Sequence, residues 1–297
     1  MRGTFRNWAF AVVSAACKNA TAHGTNYKVT AIMIEESLSH YRILRQLGSG
    51  GMGAVYLAED ARLRRNVALK ILPANVSADG EARRRFTQEA RAASALNHPN
   101  IIGIYDIGAD KGHDFIVMEF VEGEELRGPL PRKRDEIKRA LEFVAQVASG
   151  LAAAHRVGIC HRDIKPSNLM VTRAGQIKIL DFGLAKWNEK QSASILSSES
   201  PTAPYSSEIH GETKSGMILG TVAYMSPEQA EARTLDYRTD IFSLGIVLYE
   251  LLAGQRPFQG RSTVEVLHRI INEQARRFHV MVTSSSTPVR AQPETSG

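Results

Sequence analysis

Between residues 161 and 168 the chain reads HRDIKPSN, which sets a carboxylate (Asp163), an ammonium (Lys165) and an amide (Asn168) within six positions, beside a proline. Further upstream, LGSGGMGAVY carries Gly48, Gly50, Gly51 and Gly53. A glycine-rich hairpin lets backbone N–H groups lie directly over phosphates, with no Cβ in the way. A merely tight hairpin needs glycine at one or two places, not at all four of these. Dinucleotide-binding folds use the same GxGxxG spacing, but there the loop leads from a strand into a helix. Here the residues on both sides alternate as strands and Val55 follows two places after Gly53, so an NAD-binding oxidoreductase is excluded. Lys70 lies in an apolar run with Val67, Ala68, Leu69 and Ile71. An ammonium so embedded needs an anionic partner, because burying an unpaired charge is costly. Glu89 is the expected partner, ahead of Glu81 and Gln88, because it adjoins the apolar stripe of the next helix.

The elements that position these groups are legible in outline. YRILRQL, AVYLAED and NVALKIL alternate as three successive strands, an antiparallel meander. EARRRFTQEARAASAL reads as a helix with Phe86, Ala90, Ala93 and Leu96 on one stripe, stopped by Pro99. IIGIYDIGAD and HDFIVMEFV supply two more strands. After Pro131 the period changes, and IKRALEFVAQVASGLAAAHRVG is a long amphipathic helix. TDIFSLGIVLYELLAG is apolar on every side, which predicts a buried central helix. The fold class is therefore α+β and bilobal: a small sheet-rich lobe over about 41–118, a hinge at about 119–125, and a larger helical lobe over about 126–272. Ligands favour such clefts between lobes.

Composition excludes several other classes. The 297 residues are 43% hydrophobic and 23% charged, an ordinary globular balance. The net charge of +6 and pI near 9.4 come without aromatic-interleaved basic patches or zinc-finger spacing, so no nucleic-acid partner is expected. Cys17 and Cys160 are far apart and lack CxxC spacing, which supports neither a disulfide framework nor a zinc site and suits a reducing, cytoplasmic compartment. At the start of the chain Arg2 and Arg6 precede WAFAVVSAAC, faintly like a secretory signal. That run of ten residues is short of the roughly 20 that span a bilayer. A disordered leader, or an extension upstream of a start at Met33, is the preferred reading. Residues 1–40 carry no functional assignment, and no membrane segment is expected.

In order and spacing, the glycine loop, VALK, a helix glutamate, HRDIKPSN, the DFG at 181–183 and the SPE at 226–228 resemble the eukaryotic-like protein kinases. GSGGMGAVYLAED, RFTQEARAASALNHPNI and KILDFGLAK are most similar to the bacterial serine/threonine members. The resemblance covers about residues 41–272, with Ser226 in place of the commoner alanine.

It implies ATP- and Mg²⁺-dependent transfer of a γ-phosphoryl group to serine and threonine hydroxyls of protein substrates, in signal transduction. Asp163 would orient the hydroxyl and accept its hydrogen, and Lys165 would meet the γ-phosphoryl oxygens. Asn168 and Asp181 would be the Mg²⁺ ligands. Lys70, paired with Glu89, completes the catalytic set. The nucleotide would be held by Leu47, Gly48, Ser49, Gly50, Gly51, Met52, Gly53, Ala54 and Val55, with Ala68 and Met170 on the ring. Met118 would bound the back of the pocket, and the backbone of Glu119 and Val121 would meet the adenine edge. Arg162 resembles the arginine of kinases controlled by phosphorylation of the activation segment, and Thr221 the threonine that braces the catalytic pair. QSASILSSESPTAPYSSEIHGETKSG, in that segment, has a disordered composition and is the expected place of autophosphorylation. Asp240 would hold the catalytic-loop backbone.

The C-terminal end departs from the family pattern. STVEVLHRIINEQ resembles the family's next surface helix, but residues 273–297 read as an irregular tail without helical periodicity. The family's last helices are expected to be missing, together with the arginine that pairs with Glu228, for which Arg276 or Arg277 would be the substitute. The alternative reading is therefore a truncated, non-catalytic fragment that binds nucleotide or partners. Substrate, activating signal and oligomeric state are not readable.

Overall fold

A computed structural model describes residues 36–50, 53–73, 77, 80–127, 134–182 and 222–275. Among them, six strands form one antiparallel sheet: β1 (Ser37–Leu38), β2 (Tyr41–Gly50), β3 (Gly53–Asp60), β4 (Arg65–Ile71), β5 (Ile104–Asp110) and β6 (His113–Glu119), in the order β1-β2-β3-β4-β6-β5. Alternation decides the faces. Val67, Leu69 and Ile71 of β4 are buried, and so are Ala68 and Lys70 between them, because the far face of this strand is also covered. The cover is the helix α1 (Gly80–Ser94), whose Ala90 and Ala93 are buried on the predicted stripe.

The second lobe is built on α2 (Arg134–Arg156) and α4 (Arg238–Ala253), which pack against each other. Phe143, Val147, Leu151, Leu244, Val247 and Leu251 share one apolar core. Above it lies a second, three-stranded sheet of β7 (Gly123–Glu125), β8 (Leu169–Thr172) and β9 (Ile177–Ile179). The short helix α3 (Pro227–Ala230) starts at a capping box, and α5 (Thr263–Asn272) buries Val266 and Ile270. The helix α4 is not buried on all sides as its composition predicts: Asp240 and Val247 are fully enclosed, whereas Ile241 is 56% exposed. Its own face geometry explains this, since at 3.6 residues per turn neighbouring positions point about 100° apart. The sequence reading of IIGIYDIGAD as one strand is also shortened, with Ile101 making an isolated parallel bridge to Ile179 ahead of β5.

One buried asparagine ties the two lobes at the back. The Nδ2 of Asn100 donates to the Ile177 carbonyl (2.9 Å) and to Gln146 Oε1 (3.0 Å). The same Gln146 oxygen accepts the Ile177 N–H at 2.8 Å. Backbone bonds extend the junction, from Ile179 N–H to the Asn100 carbonyl (2.8 Å) and from Ile102 N–H to the Ile179 carbonyl (3.1 Å). The entry to β5 is thus fixed on β9, the strand that leads to Asp181. Replacing Asn100 by alanine takes this donor from the buried Ile177 carbonyl, while Gln146 Oε1 keeps the Ile177 N–H, and is expected to cost about 1–3 kcal/mol. Urea unfolding of the variant checks it, and a loss under about 0.5 kcal/mol would show that the junction is not held this way.

Candidate active site

The loop from His161 to Asn168 has almost no regular structure, so its shape comes from side chains that hold its backbone. Asp240, at the start of α4, is fully buried, and its Oδ1 accepts the Arg162 N–H at 2.7 Å while Oδ2 accepts the His161 N–H at 2.8 Å. His155, in the last turn of α2, places Nε2 at 2.8 Å from the same Oδ2. Burial alone would push this carboxyl up, but the His155 bond and the two backbone donors together hold it below the usual carboxylate range.

Held in this way, Arg162 adopts φ +66°, a left-handed conformation uncommon for a residue with a Cβ. His161 is fully buried and acts in both directions: its Nδ1 accepts the Asp163 N–H at 3.2 Å, so Nε2 carries the hydrogen given to the Leu180 carbonyl at 2.7 Å. The Leu180 N–H in turn donates to the Asn168 carbonyl at 2.9 Å. Both ends of Leu180 are therefore bound to the loop, and the next residue, Asp181, takes φ +55°. Phe182 packs edge-on against the His161 ring, 4.9 Å between centroids.

The side chains proposed for the chemistry fall into two linked groups. Asp163 Oδ2 lies 2.8 Å from Lys165 Nζ and 3.0 Å from Asn168 Nδ2, which also donates to the Asp163 carbonyl at 2.8 Å. Lys70, only 4% exposed, pairs with Asp181 Oδ2 at 2.9 Å. Asp181 is one residue beyond the bonds that join Leu180 to Asn168, so the backbone connects the groups. Lys70 is ion-paired with Asp181, a partner that the sequence reading, with its expectation of Glu89, did not name. Asp181 lies two residues beyond β9, and Glu89 is half-buried on α1.

The adenine-side residues also separate. Val55, Ala68, Met118, Val121 and Met170 belong to one apolar cluster, while Leu47 is 39% exposed and lies outside it. Gly48 and Ser49 pair with Val55 and Ala54 across the β2–β3 hairpin, and Gly50 pairs with Gly53. Gly51 and Met52, at its tip, lie outside the described residues. Gly53 is required by the fold, for it has φ +108° and an added Cβ would come within 2.0 Å of the Ile71 carbonyl oxygen. At Gly48 an added Cβ would meet nothing within 4 Å. No neighbour among the described residues demands glycine there. Thr221, the 191–216 segment, Arg276 and Arg277 also lie outside the described residues. Glu228, whose family arginine partner was expected to be missing, accepts a hydrogen bond from Thr239 Oγ1 at 2.8 Å.

Lys178 was missed by the sequence reading. Its Nζ lies 2.8 and 3.0 Å from the two carboxylate oxygens of Glu119, one of which also accepts the Gly103 N–H at 3.2 Å. Since Lys178 pairs with Met170 across β8 and β9, this ion pair spans from the strand before Asp181 to the hinge. The signal was a lone cation between Ile177 and Ile179 in a strand.

A hard divalent cation takes oxygen ligands. Asp181 presents its carboxylate, and Asn168, whose Nδ2 is turned to Asp163, has its amide oxygen for a second ligand. The donor set therefore fits Mg²⁺.

A strand-rich lobe on a helical lobe, with an acid, an amide and a buried lysine gathered where they meet, defines a bilobal fold with its site between the lobes. The chain belongs to the protein kinase domain family, whose family model matches residues 41–296. It is 44% identical over 232 residues to the serine/threonine-protein kinase PrkC of Bacillus subtilis, covering 76% of this chain and 32% of that protein. To the serine/threonine-protein kinase pkn2 of Myxococcus xanthus it is 42% identical over 228 residues, or 74% and 25% of the two chains. The chain thus spans a third or less of the length of these relatives. Among solved structures, the PknI kinase domain of Mycobacterium tuberculosis aligns with TM-score 0.56 and 28% identity over 77% of this chain and 78% of that one. Among the described residues no helix is long and apolar enough to cross a membrane.

Replacing Asp240 by asparagine puts an N–H₂ group against donors and is expected to cost about 3–5 kcal/mol near neutral pH. The folded-state carboxyl titrates below its unfolded value of about 3.9, so its contribution is complete above that pH and is lost as pH falls through the lower folded value. Urea unfolding of the two proteins should keep a constant gap from pH 8 to about pH 5, with convergence only in stronger acid. A gap that closed by about pH 6 would contradict the anchor.

Proposed function

We propose that the chain transfers the γ-phosphoryl group of ATP to serine and threonine hydroxyls of protein substrates, on the cytoplasmic side where ATP is available. The observation that carries this reading is the unit formed by Asp163, Lys165 and Asn168, bonded through Leu180 to the strand end where Asp181 meets Lys70. The serine/threonine kinases among the relatives support the same reaction class.

Phosphoryl transfer needs little covalent help from a protein, but much positioning and neutralisation of charge. The carboxylate of Asp163 is set to receive the hydroxyl hydrogen and to aim the oxygen. Lys165, 2.8 Å from that carboxylate, offers its ammonium to the transferred group as negative charge spreads. Asn168 and Asp181 would hold Mg²⁺, which would supply positive charge to offset that of the phosphates. Lys70 is close enough to the same carboxylate to hold phosphate oxygens beside the metal ligands. The apolar surfaces of Val55, Ala68 and Met170 suit the two faces of a purine, and Lys178 steadies the floor of that space through Glu119. Autophosphorylation within residues 191–216 belongs to the same proposal, and phosphopeptide mapping after incubation with ATP tests it.

Two substitutions separate chemistry from binding. Asp163→Asn should lower transfer of radiolabelled phosphate to casein and to the chain itself by about 10²- to 10⁴-fold, while Mg²⁺ and ATP still raise the melting temperature. Equal transfer by both proteins would refute the reading. Lys178→Met should raise KM for ATP about tenfold with a smaller change in kcat, and Lys178→Arg should recover most of it. An unchanged KM would remove Lys178 from the nucleotide site.

A further inference from the structure

Gln229, the third residue of α3, uses both ends of its side-chain amide. Its Oε1 accepts the Ser226 N–H at 3.0 Å, and its own N–H is bonded to Ser226 Oγ at 3.3 Å, so the two residues close a capping box. Its Nε2 donates to the Arg162 carbonyl at 2.7 Å. The amide orientation follows from the partners alone, since a backbone N–H only donates and a carbonyl only accepts. Closing the box with Oε1 therefore turns Nε2 toward the catalytic loop.

The bonded carbonyl belongs to the residue with the left-handed φ of +66° that precedes Asp163. On its other side, the Arg162 N–H is held by Asp240 at 2.7 Å. A non-glycine residue persists in that conformation only when its surroundings over-determine it. Asp240 holds the peptide entering Arg162, and Gln229 holds the peptide between Arg162 and Asp163, so the two anchors together set the direction in which Asp163 leaves the turn.

We propose that Gln229 is a positioning residue for the phosphoryl-transfer reaction, tying the helix that follows the activation segment to the peptide bond in front of Asp163. This rests on the kinase reading above. It adds a physical link between formation of the capping box, one turn after residues 183–221, and the aim of the general base. When Ser226 and Gln229 form the box, the catalytic loop acquires its second anchor; when the box opens, the amide that supports the Arg162 carbonyl leaves with it.

Gln229→Glu separates the two jobs of the side chain. Glutamate still closes a capping box, but it puts a carboxylate oxygen where the donor was, against the Arg162 carbonyl. In the full chain this variant should keep its melting temperature within a few degrees and its KM for ATP within about twofold, while kcat falls by about 10- to 100-fold. Hydrogen exchange in the peptide covering residues 159–165 should quicken by about tenfold or more, with peptides from α3 and α4 unchanged. Gln229→Met, which loses both bonds, should show the same faster exchange in the loop together with a lower melting temperature, and it decides the matter if the glutamate variant does not fold. Wild-type kcat and wild-type loop exchange in the glutamate variant would overturn the proposal. So would faster exchange that rises equally in α4, because that is general unfolding. If the wild-type chain transfers no phosphate, the kinase reading fails on its own, and the exchange measurements still decide whether Gln229 holds the loop.

Discussion

A carboxylate removed from water must be compensated by donors, and at Asp240 the compensation shapes the site. Its donors are two successive backbone N–H groups of the loop and the ring of His155. The cost of burying the charge is thus offset by bonds that also prescribe the path of residues 161 and 162. From there the constraints pass outward, through His161 to the Leu180 carbonyl and through the Asn168 carbonyl to the Leu180 N–H. Asp163 and Asp181, on different loops, are placed by one connected set of hydrogen bonds rooted in the first turn of α4.

The two acidic residues follow or occupy left-handed backbone positions, Arg162 and Asp181. Neither position is relieved by glycine. Such conformations cost of order 1–3 kcal/mol each, and the bonds that hold them are among the shorter ones in this region. The site stores strain where chemistry needs direction, while the sheet and the α2–α4 core supply the stability that tolerates it. Among the described residues, Asn100 at the back, the Glu119–Lys178 pair and the Lys70–Asp181 pair join the lobes, and the first two end on β9. The short strand before Asp181 is thus the place where movement of either lobe is felt.

Much of this was legible in the sequence, because strong periodicity and fixed motif spacing are local properties. The strands of the first lobe, the stripe of α1 and the long α2 follow from apolar periods of two and 3.6 residues. The roles proposed for Asp163, Asn168, Asp181 and Lys70 rest on residue type and order. Pairing was less legible. Lys70 needed an anion, but whether Glu89 or Asp181 supplies it depends on where α1 sits against the sheet, which no local pattern encodes. The strands β7, β8 and β9 are short, and their burial comes from partners far along the chain, so no period announced them. Gln229 and Lys178 act through bonds to residues 67 and 59 positions away, and only the folded chain brings those ends together.

The empty space at Gly48 separates architecture from occupancy. The backbone there borders a register shift in the ladder and pairs with Val55, and among the described residues no atom lies within 4 Å of an added Cβ. No neighbour described there sets the size of residue 48, and the proposed nucleotide would lie over this hairpin.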